Sequence, residues 1–130
     1  MRFSHTALSV KSIERSQKFY ESVFNLKFKS RGERKELRVR FVNLVDNKGS
    51  MLELFEHDES LALEEDLMEF QKAGIKHIAF EVESIEEVLD NAVKHGASIE
   101  WQPKPGITVK RVAFLRDLDG IPIELIEPKG

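Results

Sequence analysis

Two short stretches of this chain repeat each other, and the spacing between the matching residues is almost constant along the sequence. HTALSVKSIE at residues 5–14 and HIAFEVESIE at residues 77–86 share His, Ala, Val and a final Ser-Ile-Glu at matching positions. A second matching pair is MLELFE at residues 51–56 and PIELIE at residues 122–127. The offset is 72 residues for the first pair and 71 residues for the second. Matching blocks in the same order at one long period indicate an internal duplication rather than chance similarity between apolar segments.

Each copy of the repeat has the pattern of a βαβββ unit. Ser12 and Ser84 are typical helix N-cap residues, and Glu87 completes a capping box in the second copy. Apolar residues recur with helical spacing from Ile85 onwards, and Gly96 is predicted to end this helix. The other predicted elements are a strand at 2–10, a helix at 13–24 and strands at about 26–31, 36–45 and 50–57 in the first copy, and strands at about 97–102, 109–116 and 121–127 in the second.

The chain is therefore predicted to be one domain, 1–130, that is built from two modules. The first module covers 1–57 and the second covers 75–130. An acidic linker at 58–74 joins them, and residues 61–70 within it could form a short helix. A chain of this length is sufficient for one ordinary domain or for two very small halves that share a core.

The composition excludes several classes of function. The formal net charge of −3 and the pI near 5.8 argue against nucleic acid as a partner, because nucleic acid requires a basic surface. No apolar stretch approaches the ~20 residues that span a bilayer, so no membrane partner is expected. The chain has no cysteine, which excludes disulfides and thiolate chemistry and agrees with a cytoplasmic location.

Four polar residues recur at matching positions inside predicted strands. His5 and His77 are predicted to lie in the middle of the first strand of their modules. Glu53 and Glu124 lie in the last strands between apolar residues, where an unpaired carboxylate is costly. Taken singly, each histidine could be an ordinary hydrogen-bonded residue, and each glutamate could face solvent. As a repeated set, the two imidazoles and two carboxylates are predicted to converge and bind a divalent cation such as Zn²⁺, Ni²⁺, Co²⁺, Mn²⁺ or Fe²⁺.

The chain resembles a known superfamily over almost its whole length. HTALSV followed by SQKFYESVFNLKF is similar to the first strand and helix of the vicinal oxygen chelate superfamily. RDLDGIPIELIE is similar to the Asp-Pro-Asp-Gly…Ile-Glu-Leu close of these proteins, with Leu118 in place of the proline. The superfamily includes glyoxalase I, methylmalonyl-CoA epimerase, extradiol dioxygenases, and fosfomycin and bleomycin resistance proteins. The resemblance implies an α+β fold in which two tandem βαβββ modules form a curved mixed sheet around a metal site.

The resemblance also implies a ligand set and a reaction. The metal ligands would be His5, Glu53, His77 and Glu124, a complete set that is similar to those of glyoxalase I and the epimerase. The implied activity is that of a metal-dependent lyase or isomerase acting through an enediolate, as lactoylglutathione lyase does on the hemithioacetal of methylglyoxal and glutathione. Glu124 or Glu53 would be the catalytic base. Family members often form homodimers, so a homodimer is expected. The alternatives are an epimerase or dioxygenase of the superfamily, or a non-catalytic protein that binds a small molecule or drug.

The chain departs from the glyoxalase I pattern in the residues that would bind glutathione. Glyoxalase I has an arginine for a glutathione carboxylate where this chain has Ser9, and His57 is a loose match to a second glutathione-binding position. Five basic residues could bind an anionic substrate instead, although solvated strand charges are their ordinary interpretation. They are Arg38, Arg40, Lys104, Lys110 and Arg111.

Overall fold

The computed structural model describes residues 1–130 and contains two α-helices and eight strands. The chain separates into two compact units, Met1–Ala62 and Leu63–Gly130. The elements of the first unit are β1 (His5–Ser9), α1 (Ile13–Phe24), β2 (Lys27–Arg34), a 3₁₀ turn (Lys35–Leu37), β3 (Val39–Val45) and β4 (Met51–His57). Those of the second unit are β5 (Ile78–Glu81), α2 (Ile85–Lys94), β6 (Ser98–Pro105), β7 (Arg111–Arg116) and β8 (Pro122–Glu127). The βαβββ order predicted for each module is confirmed.

Each unit contains one four-stranded mixed sheet, and the two sheets have the same strand order. The order is β1-β4-β3-β2 in the first unit and β5-β8-β7-β6 in the second. β1 is parallel to β4 and β5 is parallel to β8, whereas all other neighbouring strands are antiparallel. Ala7 lies opposite Glu53, and Ala79 lies opposite Glu124. The internal duplication therefore extends from the sequence to the pairing of individual residues.

One face of each sheet is covered by the helix of its own unit. α1 packs on β3 and β4, and α2 packs on β6, β7 and β8. The hydroxyls of Ser12 and Ser84 accept hydrogen bonds from the backbone N–H three residues later, as predicted for N-caps. Alternate strand residues supply the buried side chains beneath the helices. They include Leu8, Val42, Leu44, Leu52 and Leu54 in the first unit and Ala113, Leu115, Ile123 and Leu125 in the second. Neither helix is long and apolar enough to cross a membrane.

The last glutamate of each repeated block connects its strand to the start of the helix. Oε1 of Glu56 accepts a hydrogen bond from the backbone N–H of Ile13 at 2.7 Å. Oε2 of Glu127 accepts the equivalent bond from Ile85 at 2.8 Å. The first N–H groups of a helix have no partner within the helix, so a carboxylate from a neighbouring strand can satisfy one of them. This part of the repeated sequence therefore has a structural role.

Two segments differ from the prediction. β1 begins at His5, three residues later than predicted, because its ladder with β4 begins there. Residues 61–70 form turns rather than a short helix. Oδ1 of Asp66 accepts a hydrogen bond from the backbone N–H of Met68, and its carbonyl accepts one from Glu69. An aspartate that binds nearby backbone N–H groups in this way favours a turn over a helix.

Candidate metal centre

In the first unit, the structure brings His5 and Glu53 together on the sheet face opposite α1. His5 is the first residue of β1, and Glu53 is the third residue of the parallel strand β4. Ala7 lies opposite Glu53, and its small side chain leaves space for the imidazole to approach the carboxylate. Nε2 of His5 is 3.5 Å from Oε1 of Glu53. On the other side of the imidazole, Nδ1 is hydrogen bonded to Oγ of Ser4 at 2.9 Å.

The second unit repeats this arrangement with His77 and Glu124. His77 directly precedes β5, and Glu124 is the third residue of β8, opposite Ala79. Nε2 of His77 is 3.6 Å from Oε1 of Glu124. Nδ1 of His77 is buried and has no hydrogen-bond partner. The imidazole packs edge-to-face with the ring of Phe114 instead, with the ring centroids 5.0 Å apart and the planes at 89°.

Neither histidine lies in the middle of a strand, so this detail of the prediction is wrong. The apolar alternation of the sequence continues upstream of each histidine to Phe3 and Ile75. These side chains are 84% and 77% exposed, so no packing holds the chain in a strand there. Each histidine therefore lies at or just before the first paired residue of its ladder.

The two pairs have the donor chemistry and the spacing of metal ligands. Hydrogen bonds between nitrogen and oxygen are usually about 2.7–3.2 Å long, and both Nε2–Oε1 distances exceed this. Two ligand atoms that each lie about 2.0–2.2 Å from one ion are about 2.8–3.6 Å apart at ordinary coordination angles. The two glutamate side chains are only 14% and 21% exposed. Each unit therefore offers one imidazole and one carboxylate, and no group of three or more His, Cys, Asp or Glu that could hold an ion forms within either unit.

The side chains next to the two glutamates differ in character between the units. In the first unit Asn43 lies opposite the glutamate, and its Nδ2 donates to Oγ of Ser30 at 3.0 Å. In the second unit Phe114 lies opposite the glutamate, with its ring centroid 4.6 Å from that of Trp101. None of these four neighbouring residues was predicted from the sequence to lie beside the glutamates. The signal was present, because the 71-residue offset that relates the glutamates also relates Asn43 to Phe114 and Ser30 to Trp101.

Two of the basic residues considered for substrate binding are occupied by structural ion pairs. Nη2 of Arg40 is 2.5 Å from Oε2 of Glu56. Nη2 of Arg111 is 2.8 Å from Oε2 of Glu127 and 2.6 Å from Oε1 of Glu86. The Arg111 guanidinium, together with the N–H at the start of α2, lowers the pKa of Glu127 to about 2. Both arginines therefore hold the glutamates that bind the helix N-termini.

The remaining basic candidates lie in varied surroundings. Arg38 is ion paired with Asp58, with Nε 3.5 Å from Oδ2. Nζ of Lys104 lies 3.6 Å from the ring centroid of Trp101, a cation–π contact on the glutamate-bearing face of the second sheet. Lys110 is exposed just before β7. Of these three, only Lys104 contacts a residue, Trp101, that lies on the same sheet face as the predicted ligand Glu124.

The two positions compared with glutathione-binding residues also have defined places. Ser9 is the exposed last residue of β1, and strand alternation places it on the same face as His5 and Ala7. His57 ends β4, and its Nδ1 accepts a hydrogen bond from the backbone N–H of Glu59 at 2.9 Å. Each of these two residues therefore shares a strand with a predicted ligand, Ser9 with His5 in β1 and His57 with Glu53 in β4.

A cavity of about 470 Å³ lies elsewhere in the first unit. Its lining comes from the beginning of α1 and from β2, β3 and the end of β4, and it includes Gln17, Arg31 and Val42. Neither His5 nor Glu53 lines it. This cavity is therefore separate from the His–Glu pair.

Comparisons with known proteins identify the family of this chain. The family model of the Glyoxalase/Bleomycin resistance protein/Dioxygenase superfamily matches residues 2–125. A lactoylglutathione lyase from Neisseria meningitidis serogroup A is 31% identical over 136 residues, which cover 100% of this chain and 93% of that protein. The solved structure of the trypanothione-dependent glyoxalase I of Leishmania major is 28% identical, with a TM-score of 0.77 over 98% of this chain and 86% of that one. A glyoxalase family protein from Bacillus cereus has the same fold, with 22% identity and a TM-score of 0.84 over 100% and 95% of the two chains.

The resemblance seen in the sequence is thus confirmed at three levels. The two units share one βαβββ plan and one strand order. Each unit places one histidine beside one glutamate at the same register. The family model covers nearly the whole chain. The chain belongs to the Glyoxalase/Bleomycin resistance protein/Dioxygenase superfamily, the vicinal oxygen chelate proteins.

Proposed function

We propose that this chain is a metal-dependent lyase or isomerase of the glyoxalase type. The observation that supports this most directly is the repeated pair of imidazole and carboxylate, 3.5 Å apart in one unit and 3.6 Å apart in the other. Relatives named lactoylglutathione lyase and glyoxalase I, at 31% and 28% identity, point to the same chemistry. The proposed reaction converts the hemithioacetal of methylglyoxal and glutathione into S-lactoylglutathione.

The proposed ligands are His5 and Glu53 from the module at 1–57, and His77 and Glu124 from the module at 75–130. Two imidazoles and two carboxylates suit a borderline divalent ion such as Ni²⁺, Zn²⁺, Co²⁺, Mn²⁺ or Fe²⁺. When bound, such an ion would polarise oxygens on two neighbouring substrate carbons and so acidify the adjacent C–H bond.

The proton transfer is assigned to a carboxylate of this chain. An oxygen of Glu124 or Glu53 accepts the proton from the substrate carbon that carries the sulfur, which leaves an enediolate. The same carboxyl group returns the proton to the neighbouring carbon. The hydroxyl proton on the sulfur-bearing carbon passes to the oxygen of the neighbouring carbon, so the sulfur-bearing carbon becomes the thioester carbonyl and the neighbouring carbon carries the hydroxyl. Two protons thus change place, one between the carbons through the carboxyl group and one between the oxygens, and the substrate gains and loses no atoms.

A second candidate is a different metalloenzyme of the superfamily, such as an epimerase or a dioxygenase. Ser9 favours it, because glyoxalase I has an arginine for a glutathione carboxylate at that position. Arg40 and Arg111 are held by glutamates of the chain and do not replace that arginine. A non-catalytic small-molecule or drug-binding protein is the third candidate, and it requires none of the four ligands. For all three candidates we propose a cytoplasmic homodimer.

The test begins with metal binding. Protein without a His-tag is stripped with chelator, and each divalent metal is added while the melting temperature is followed beside a His77→Ala control. A ligand that binds only the native state raises this temperature. A rise that the control loses supports the ligand set, and the metal with the largest rise is then used to assay S-lactoylglutathione formation. No rise with any metal would contradict the proposal and favour the binding protein. A rise without product would favour the epimerase or dioxygenase.

A further inference from the structure

The two histidines are held in place by different contacts. Nδ1 of His5 is hydrogen bonded to Oγ of Ser4 at 2.9 Å. Nδ1 of His77 is buried and has no partner. A histidine that binds a metal through one nitrogen usually donates its other N–H to a neighbouring acceptor, and this bond sets the orientation of the ring. His77 lacks that bond, so its orientation requires another explanation.

Hydrogen bonding does not select the orientation of His77 in either neutral tautomer. With the proton on Nδ1, the ring has a buried donor without an acceptor. With the proton on Nε2, it has a buried acceptor without a donor, which is also costly. Oε1 of Glu124 lies 3.6 Å from Nε2 and is too distant for an ordinary hydrogen bond. A packing contact must therefore hold the ring.

The ring of Phe114 supplies such a contact. Its centroid lies 5.0 Å from that of His77 with the planes at 89°, within the range preferred by edge-to-face aromatic pairs. Phe114 is 2% exposed and lies opposite Glu124 in the ladder of β7 and β8. The residue that touches the imidazole is therefore anchored to the strand that carries the carboxylate.

Trp101 in turn limits the movement of Phe114. The two ring centroids are 4.6 Å apart with the planes at 70°. Nζ of Lys104 lies over the Trp101 ring, and the ring of Phe70 lies 6.4 Å from it. The aromatic row from Trp101 through Phe114 to His77 thus forms a continuous packed support on the glutamate-bearing face of the second sheet.

We propose that Phe114, braced by Trp101, is a positioning residue that aims Nε2 of His77 at the ion. It does so in place of the missing Nδ1 hydrogen bond. The proposal rests on the proposed ligand set but not on the identity of the substrate. In the first unit the position equivalent to Phe114 is Asn43, 71 residues earlier, and Ser4 orients the histidine there. The two units therefore orient their equivalent histidines through different contacts.

The test compares Phe114→Leu with Leu115→Val. Leu115 is 0% exposed in the same strand and points to the opposite face, so it controls for the loss of core packing. The affinity for Ni²⁺ or Zn²⁺ is measured by calorimetric titration, well below the melting temperature of each variant. Loss of an orienting partner weakens metal binding by about 10–100-fold, and this is the result expected for Phe114→Leu. Leu115→Val is expected to lower the melting temperature while it keeps the wild-type affinity.

A second readout uses the metal-free protein. Three-bond NMR couplings report the χ1 rotamer of His77, and they do not depend on the ring current of a neighbouring aromatic residue. One rotamer is expected in the wild type and in Leu115→Val, and averaged couplings are expected in Phe114→Leu. Wild-type affinity together with a single His77 rotamer in Phe114→Leu would overturn the proposal. If the wild type binds no metal, the proposed function fails, and the couplings still decide whether Phe114 orients His77.

Discussion

Each unit has its own apolar core, so a cavity made in one unit should destabilise that unit first. Leu54 in β4 and Leu125 in β8 occupy equivalent positions of the duplication, and both are 0% exposed. Truncation of a fully buried leucine to alanine costs about 2.7–5 kcal/mol, because the surrounding side chains close the cavity only in part. With a guanidinium m-value of about 2–3 kcal/mol per molar for a unit of this size, the unfolding midpoint should fall by about 1–2.5 M.

The chain carries one spectroscopic probe in each unit. Tyr20, the single tyrosine, is 0% exposed in α1, and Trp101, the single tryptophan, lies in β6. Leu125→Ala should lower the midpoint seen by Trp101 fluorescence more than the midpoint seen by the near-UV circular dichroism of Tyr20. Leu54→Ala should do the reverse. The wild type measured with both probes is the reference. Equal shifts of both probes in both variants would refute the reasoning that the two cores contribute separately.

Three further predictions concern catalysis, acid stability and a turn. Glu124→Gln and Glu53→Gln test which glutamate is the base. Loss of a general base lowers kcat by about 10²–10⁴-fold, so the variant that lacks the base should show this loss. S-lactoylglutathione formation at the wild-type rate by both variants would contradict the mechanism. The pKa of Glu127 is lowered from 4.5 to about 2, so its ion pair stabilises the fold fully above about pH 4.5 and is lost as the pH falls toward 2. Glu127→Gln should therefore weaken the dependence of the melting temperature on pH over this interval. A pH dependence equal to that of the wild type would count against a stabilising ion pair. Gly96→Ala should lower the free energy of unfolding by about 1–3 kcal/mol in denaturant titrations. Gly96 has a φ of +101°, and an added Cβ would lie 2.8 Å from Leu118. An unchanged free energy of unfolding would show that the turn relaxes freely.

The order of elements was predictable because its signals are local. Ser12 and Ser84 precede amphipathic stretches, and both cap the helices that follow them. The repeat then extended the assignment of one module to the other. Prediction failed at 61–70, where an apolar and acidic composition suits a helix but Asp66 binds the backbone locally and forms a turn.

The pairing of each histidine with its glutamate was also accessible from the sequence, but its surroundings were not. Duplicated His and Glu residues identified which side chains to compare, and the structure places them 3.5 and 3.6 Å apart within their units. The neighbours across the sheet depend on ladder register, and a shift of one residue reverses the face of every side chain. Arg40 and Arg111 illustrate this limit, because a strand arginine looks the same in sequence whether it faces solvent or a carboxylate.

The duplication keeps some residues and changes others, and the division follows their physical roles. Glu56 and Glu127 bind helix N-termini in both units, a need that each βαβββ unit has separately. Beside the proposed ligands, in contrast, the polar Asn43 in one unit corresponds to the aromatic Phe114 in the other. Asn43 cannot supply the aromatic contact that Phe114 makes with His77, and Ser4 already holds the ring of His5. Exchange of Asn43 and Phe114 should therefore remove the support of one proposed ligand without adding any to the other. The exchange variant is expected to bind Ni²⁺ or Zn²⁺ about 10–100-fold more weakly than the wild type in calorimetric titration, and wild-type affinity would contradict this difference between the units.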